Sequence, residues 1–565
     1  MKYKRVEIED NLSNKRKEET KKIIHYEYIV HTIISIIFAA YNTINLGYIC
    51  HNLAEKYNFK IDGITEGYSF LGGYRDLSDY QWKYYRTNLG LIVLCAIIFV
   101  LISKMIKNYF SVSCLKIYYL IFGLGYALYL HRIKMIYLIL VLVISYSLCC
   151  NYSYFGRNVF IAITWIFVIF IKVTSEIYKG FSFNFINVSN DLKNPLLGWE
   201  SAFGLIMLKI ISYNVEYANS QEKKQKNNKL YTKDNIFEHC KECKNGKFCL
   251  TALKFLDVNE EDFNFINLLI YIFYPPFYFS GPTILYHSFI FQVNNININK
   301  HNDTFDTNKM LYCIRCILVF IIFEIFNHYI YVNAIMTNKY NNFFLQDFIN
   351  ANSYFTYSFL AFNNLVFIFL KFSLIWKVAR FWGWADGIYA EENMNRCIYN
   401  NYSFEGFWRQ WHRSYNIWLI RYMYIPLGGN KKRIFNFFII FSFVALWHDL
   451  KFHLLLWAWG IYIVFIPEVF IKFYFNKEEN KYLNDYMIFR YLRALVCSFV
   501  ILMMMLANLI GFGIGNKNLV DTLWNLIKMT TPLRFFGLVL FYAPFTFVMF
   551  FIREVEKNNG IEKKF

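Results

Sequence analysis

Two histidines in the second half of the chain have the chemistry of a proton-transfer pair. His412 lies in an aromatic and arginine-rich stretch, residues 407–422, and His448 closes an apolar run. An imidazole titrates near neutral pH, so it can accept the proton of an alcohol while the alcohol oxygen attacks a carbonyl carbon. The two histidines lie 36 positions apart, which leaves room for a turn, an apolar helix and a return. Both side chains could therefore reach one chamber, although a histidine at a helix end is also common as a simple polar cap.

The stretch around His412 predicts a helix whose polar and aromatic face carries Trp408, His412, Tyr415 and Asn416, because residues three and four positions apart share one side of a helix. A neighbouring stripe of the same helix would carry Arg409, Arg413 and Arg421. Such a face suits a substrate chamber, and it equally suits a surface helix whose arginines meet lipid phosphates. The residues that would bind substrate here and beside His448 are Trp408, Arg409, Arg413, Tyr415, Asn416, Trp447 and Asp449.

Long apolar runs must position these residues. The hydrophobic set makes up 56% of the 565 residues, whereas soluble domains lie near about 45–50%. A membrane-spanning helix needs about 20 mostly apolar residues. The sequence therefore predicts an all-α, polytopic transmembrane bundle of about eleven spans, at residues 28–50, 89–106, 113–130, 135–150, 159–173, 311–332, 354–376, 434–447, 454–471, 492–515 and 535–552.

The charge pattern indicates orientation and organisation. A net charge of +19 could indicate a nucleic-acid binder, but in a membrane protein the positive-inside rule accounts for it, so no nucleic acid is expected. Basic residues before the first span place the N-terminus in the cytosol. We predict a basic tail over residues 1–26, N-terminal transmembrane helices over 27–175, a catalytic core over 176–555 and a short tail over 556–565.

One cysteine cluster has partial metal-site spacing. His239, Cys240, Cys243 and Cys249 lie in a lysine-rich loop, but the second Cys-x-x-Cys half of a zinc site is missing. We therefore expect no metal in the active site. The chain also lacks a Gly-x-Ser-x-Gly sequence, so nothing indicates a serine nucleophile.

The second half of the chain resembles the membrane-bound O-acyltransferase superfamily, and most of all the branch that contains the glycerol-uptake-named proteins and hedgehog acyltransferase. The resemblance covers roughly residues 197–467. The motifs that carry it occur in the family's order, at residues 207–214, 274–282, 392–397, 400–404, 407–421, 424–429 and 446–449. It implies a membrane fold with a central catalytic tunnel, His448 as the base, and His412 at a second polar position that is aspartate in hedgehog acyltransferase.

The resemblance also implies substrates. We expect acyl-CoA as the acyl donor, no permanently bound cofactor, and a lysolipid acceptor such as a lyso-glycosylphosphatidylinositol (lyso-GPI), acylated in the endoplasmic reticulum. Arg409, Arg413 and the basic run 431–433 are candidates for coenzyme A phosphate contacts. The alternatives are a hedgehog-type protein acyltransferase and a glycerol transporter. A transporter would favour repeated halves with broken helices, and the sequence shows no repeat.

Overall fold

Helices account for nearly all of the regular structure. The computed structural model describes residues 2–181, 194–226, 253, 256–295, 307–337, 354–475, 477–513, 524, 528 and 530–559, with side chains in the first helix from Tyr26 onwards. The cysteine cluster at Cys240, Cys243 and Cys249, with its partial metal-site spacing, lies outside these residues. One antiparallel hairpin pairs β1 (Ile64–Glu66) with β2 (Tyr74–Asp76). The helices are α1 (Lys2–Lys56), α2 (Tyr80–Tyr109), α3 (Val112–His131), α4 (Met135–Cys150), α5 (Tyr152–Ile177), α6 (Trp199–Gln225), α7 (Phe265–Phe273), α8 (Tyr286–Asn294), α9 (Thr307–Tyr329), α10 (Val332–Thr337), α11 (Tyr354–Ala385), α12 (Phe404–Gln410), α13 (Arg413–Leu419), α14 (Arg433–His448), α15 (Phe452–Phe475), α16 (Met487–Asn508) and α17 (Pro532–Asn558).

The all-α transmembrane prediction is confirmed. In the described part of the chain, nine helical segments are long and apolar enough to cross a membrane. The difference from eleven has two causes. A short 3-10 turn joins α3 and α4 into one continuous segment, Val112–Cys150, and α14 has only 16 residues. Each of the eleven predicted runs nevertheless lies wholly or mostly on a described helix.

Helix α6 is the central element that the apolar pattern missed. It is buried on every side along its middle and packs against α4, α5, α7 and α8. It carries buried polar groups, among them Lys209 and Glu216, so its sequence is not uniformly apolar. The Lys209 ammonium donates to the carbonyl oxygens of Tyr271 and Ile272 at 3.1 and 3.0 Å. It thereby binds carbonyls at the end of α7 that have no partner within that helix.

A buried carboxylate joins the first helices to the second half. Asp386 follows α11 directly and is fully buried. It accepts hydrogen bonds from the hydroxyl groups of Ser103 on α2, Tyr119 on α3 and Tyr274 at 2.5, 2.6 and 2.5 Å. Lys107 lies 3.1 Å away. This carboxylate is buried between the first helices and the second half of the chain, and both of its oxygens accept hydrogen bonds.

Candidate active site

His412 lies in a break between two short helices. α12 ends at Gln410, and His412 has the left-handed backbone conformation, with φ 45° and ψ 50°, before α13 begins at Arg413. The prediction of one continuous helix is therefore wrong. Its argument that Trp408 shares a helix face with His412 also fails, because the helical path is interrupted at His412 itself.

Residues distant in sequence hold this break in place. The Glu468 carboxylate of α15 accepts the backbone N–H groups of Phe404 and Glu405 at 2.7 and 3.4 Å, which caps the start of α12. Asn393 does the same for α13. Its backbone carbonyl accepts from Arg413 and its side-chain oxygen accepts from Ser414, both at 3.1 Å. Each short helix thus has its free N-terminal donors bound by another segment.

Aromatic rings surround the His412 imidazole. Its ring centroid lies 4.4 Å from that of Trp376, 5.3 Å from Tyr415 and 6.1 Å from Trp447. The Nδ1 atom has no hydrogen-bond partner among the described residues. Burial lowers the pKa of His412, and the nearby His448 lowers it further. The ring is therefore neutral at physiological pH and free to bind a polar group.

The His448 imidazole ends α14 and faces an aromatic wall. Its centroid lies 4.7 Å from Trp447, 5.3 Å from Phe512 and 5.8 Å from Trp457. The side chain is exposed although protein surrounds it densely, as expected of a residue that lines an internal chamber. The surrounding protein lowers the pKa of His448, the charge of Lys172 lowers it further, and Asp449 acts in the opposite direction. A neutral imidazole is the form that can accept a proton.

Trp447 is the residue that both histidines share. Its ring contacts both imidazoles and packs in a tilted arrangement on Tyr415, with ring centroids 4.5 Å apart. Its indole N–H donates to the carbonyl oxygen of Gly204 on α6 at 2.7 Å. The structure thus brings His412 and His448 to one indole ring, as the spacing of the two residues allowed.

The other candidate residues divide into two groups. Tyr415 and Trp408 carry a buried hydroxyl and a buried indole N–H without a hydrogen-bond partner in the described chain. The ring of Trp408 packs against the ring of Trp457, with centroids 5.7 Å apart. Asn416 lies one turn beyond His412 on α13. Asp449 instead turns to its own loop, where its side chain accepts the backbone N–H of Leu450 at 2.8 Å and pairs with Lys451.

The three arginines do not form one stripe. Arg409 is 47% exposed at its side chain and pairs with Glu405, while Arg413 pairs with Glu391 at 3.3 Å. Arg421 turns inward, where it binds Glu216 of α6 at 2.6 and 3.0 Å. The break at His412 separates Arg409 from the other two arginines. Arg413 and Arg421 both follow the break, but they bind different acidic partners.

Sequence reasoning missed several parts of the site. Trp376 and Trp457 line it from α11 and α15, and Lys172 reaches it from α5. In a chain that is 21% aromatic, no feature of the sequence distinguished these two tryptophans from the other aromatic residues. For Lys172 a signal existed, since it is a charged residue within an apolar run. No group of three or more histidine, cysteine or acidic residues in the described ranges could hold a metal ion.

Apolar helices that could span a membrane, and polar side chains enclosed among them, define an integral membrane protein with an internal site. The model of the MBOAT, membrane-bound O-acyltransferase family, matches residues 84–509. The chain belongs to this family, and it is an acyltransferase.

Relatives agree with this assignment. The chain is 32% identical over 513 residues to the membrane-bound O-acyltransferase GUP1 of Candida tropicalis, covering 88% of this chain and 82% of that one. It is 31% identical over 517 residues to GUP1 of Saccharomyces cerevisiae, covering 89% and 86%. The mouse protein-cysteine N-palmitoyltransferase HHAT is 26% identical over 201 residues, or 34% of this chain and 37% of that one.

Proposed function

We propose that this protein transfers a long acyl chain from acyl-CoA to a hydroxyl group of a lipid, with His448 as the base. The observation that carries the proposal is the placement of His412 and His448 against the single ring of Trp447. His448 accepts the hydroxyl proton while the oxygen attacks the thioester carbonyl carbon. A C–O bond forms, the C–S bond breaks, and the proton passes to the coenzyme A thiolate.

His412 and its neighbours hold the reactants in this scheme. The unpartnered His412 Nδ1 and Tyr415 hydroxyl are available to the polar atoms of the ester or the acceptor. A thioester is already activated, so orientation and one base suffice, and positioning alone can supply much of the rate. Arg409, Arg433 and Lys472 all pair with the carboxylate of Glu405, and Lys431 and Lys432 directly precede Arg433 in the chain. This group of cations suits coenzyme A phosphates.

The acceptor that we propose is a lysolipid, most specifically lyso-GPI, in the endoplasmic reticulum, with the chain's N-terminus in the cytosol. Two facts favour a lipid over a protein amine. The similarity to GUP1 acyltransferases extends over most of the chain, whereas that to the N-palmitoyltransferase covers a third of it. An α-amine with a pKa near about 8 is also mostly protonated at neutral pH and must first lose that proton.

The test examines the acyl donor and the acyl acceptor separately. Purified protein is given palmitoyl-CoA and lyso-GPI, and both free thiol and acylated product are followed, with the His448→Ala variant as the matched control. In parallel, cells depleted of the protein are profiled for anchor lipids by mass spectrometry. Accumulated lyso-anchors support the proposal. Unchanged anchors together with a newly unacylated secreted protein contradict it and favour protein acylation.

A further inference from the structure

Helix α5 carries one charged pair within a segment that is apolar enough to cross a membrane. Lys172 is 5% exposed, and its ammonium pairs with the carboxylate of Glu176, one turn further along the helix. Charges in membrane helices are costly and usually face an internal cavity or pathway. The position of Lys172 relative to the active site therefore requires an explanation.

Gly204 on α6 shows where the ammonium lies. A Cβ atom added to Gly204 would lie 3.9 Å from Lys172 Nζ and 3.9 Å from the carbonyl oxygen of Trp447. The ammonium and this carbonyl therefore approach the same point on α6. The Trp447 carbonyl belongs to the last turn of α14, where carbonyl groups lack intrahelical partners and the helix dipole favours a cation.

The charges around His448 are few. Lys172 has the largest effect among the described charged groups, and Asp449 opposes it from the adjacent position in the chain. Asp449 is itself paired with Lys451, and His412 faces the site from the break before α13. The contacts from α15 and from the residues after α16 are the uncharged rings of Trp457 and Phe512.

We propose that Lys172 is a positioning residue for His448, whose ammonium lies at the carboxyl end of α14 and holds that helix end, with its terminal imidazole, in place. The positive charge of the ammonium also disfavours protonation of the imidazole. This inference rests on the proposed role of His448. Glu176 balances part of the Lys172 charge, so it limits the electrostatic effect on His448. The pair thus adjusts the base without contacting the substrate.

The experiment compares three variants of the full-length protein over a range of pH, with palmitoyl-CoA and a lysolipid as probes. Lys172→Met should shift the acidic limb of the kcat profile to higher pH, because protonation of His448 loses its opposing charge. A shift of one pH unit lowers kcat about tenfold on that limb, with KM for palmitoyl-CoA unchanged. Lys172→Arg should keep the limb near its original position. Glu176→Gln should move it to lower pH, because the ammonium is no longer balanced.

The opposite shifts expected for Lys172→Met and Glu176→Gln separate this role from a structural one. If both variants lose activity while the limb stays in place, Lys172 only supports packing and the inference is wrong. Lys116→Met, which removes a cation from α3, serves as the matched control and should leave the limb unchanged. If His448→Ala retains the wild-type rate and profile, the role of His448 itself is wrong, and the two failures are distinguished.

Discussion

The indole N–H of Trp447 donates to the carbonyl oxygen of Gly204 at 2.7 Å, and this bond fixes the end of α14 on α6. The Trp447 ring contacts both imidazoles, and its peptide leads directly into His448. The orientation of both histidines therefore depends on a hydrogen bond made by a residue that need not take part in the chemistry.

Replacing Trp447 with phenylalanine should lower kcat between about 10- and 100-fold, because misplacing a catalytic group by about 1 Å can have an effect of this size. The phenyl ring keeps most of the packing but loses the bond to Gly204. The control is Trp459→Phe, which removes a 3.1 Å indole bond to Ser442. Equal kcat values for the two variants would show that the Gly204 bond does not orient the site.

His448→Ala should lower acyl transfer by about 100-fold or more, the usual contribution of a general base. Expression and membrane insertion should stay intact, since the side chain is exposed at the end of its helix. His453→Ala, five positions further on, is the matched control and should retain most of the activity. Turnover close to the wild-type rate in His448→Ala would remove this residue from the mechanism.

His412→Ala should impair turnover for two reasons, since it removes the imidazole and places alanine in a left-handed conformation. Aspartate tolerates that conformation better and is polar, so His412→Asp should retain part of the activity. Glycine adopts it without steric cost, so His412→Gly isolates the loss of the imidazole. Initial rates and thermal unfolding in detergent are compared across the three variants. Wild-type turnover in His412→Gly would show that only the backbone conformation matters.

Arg421→Met should act on stability rather than on catalysis. It removes the arginine partner of the buried Glu216 carboxylate, which keeps the Tyr422 hydroxyl and the His287 ring beside it. Breaking a buried pair costs about 3–5 kcal/mol. Arg409→Met breaks an exposed pair that contributes less than about 1 kcal/mol, so it should instead raise KM for acyl-CoA if it binds phosphate. Unfolding in detergent and steady-state kinetics distinguish the two. A stable but inactive Arg421→Met variant would place Arg421 in the substrate site.

Part of this architecture was predictable from sequence because the membrane imposes it. Apolar runs near 20 residues indicate helices wherever a backbone must satisfy its own hydrogen bonds in lipid. The runs were therefore located correctly, including the short α14. Helix α6 escaped this reasoning because protein, not lipid, surrounds it, and buried polar groups such as Lys209 and Glu216 interrupt its apolar pattern.

The types of the catalytic candidates were also readable from the sequence, since histidines beside apolar runs suggest proton transfer. The arrangement of these residues in space could not be predicted from the sequence. Local periodicity predicted one helix through His412, but bonds from Glu468 and Asn393 cap two separate helices and place His412 between them. The inward turn of Arg421 depends on Glu216, 205 positions earlier in the chain.

The sequence by itself thus determined that the chain enters a membrane as helices and which side chains could transfer a proton, because both follow from local composition. Only the tertiary structure decided that Trp447 would join His412 to His448, and that Lys172 would lie at the end of α14. Those contacts form between helices that are far apart in the chain. Contacts of that kind do not produce a periodic pattern in the sequence.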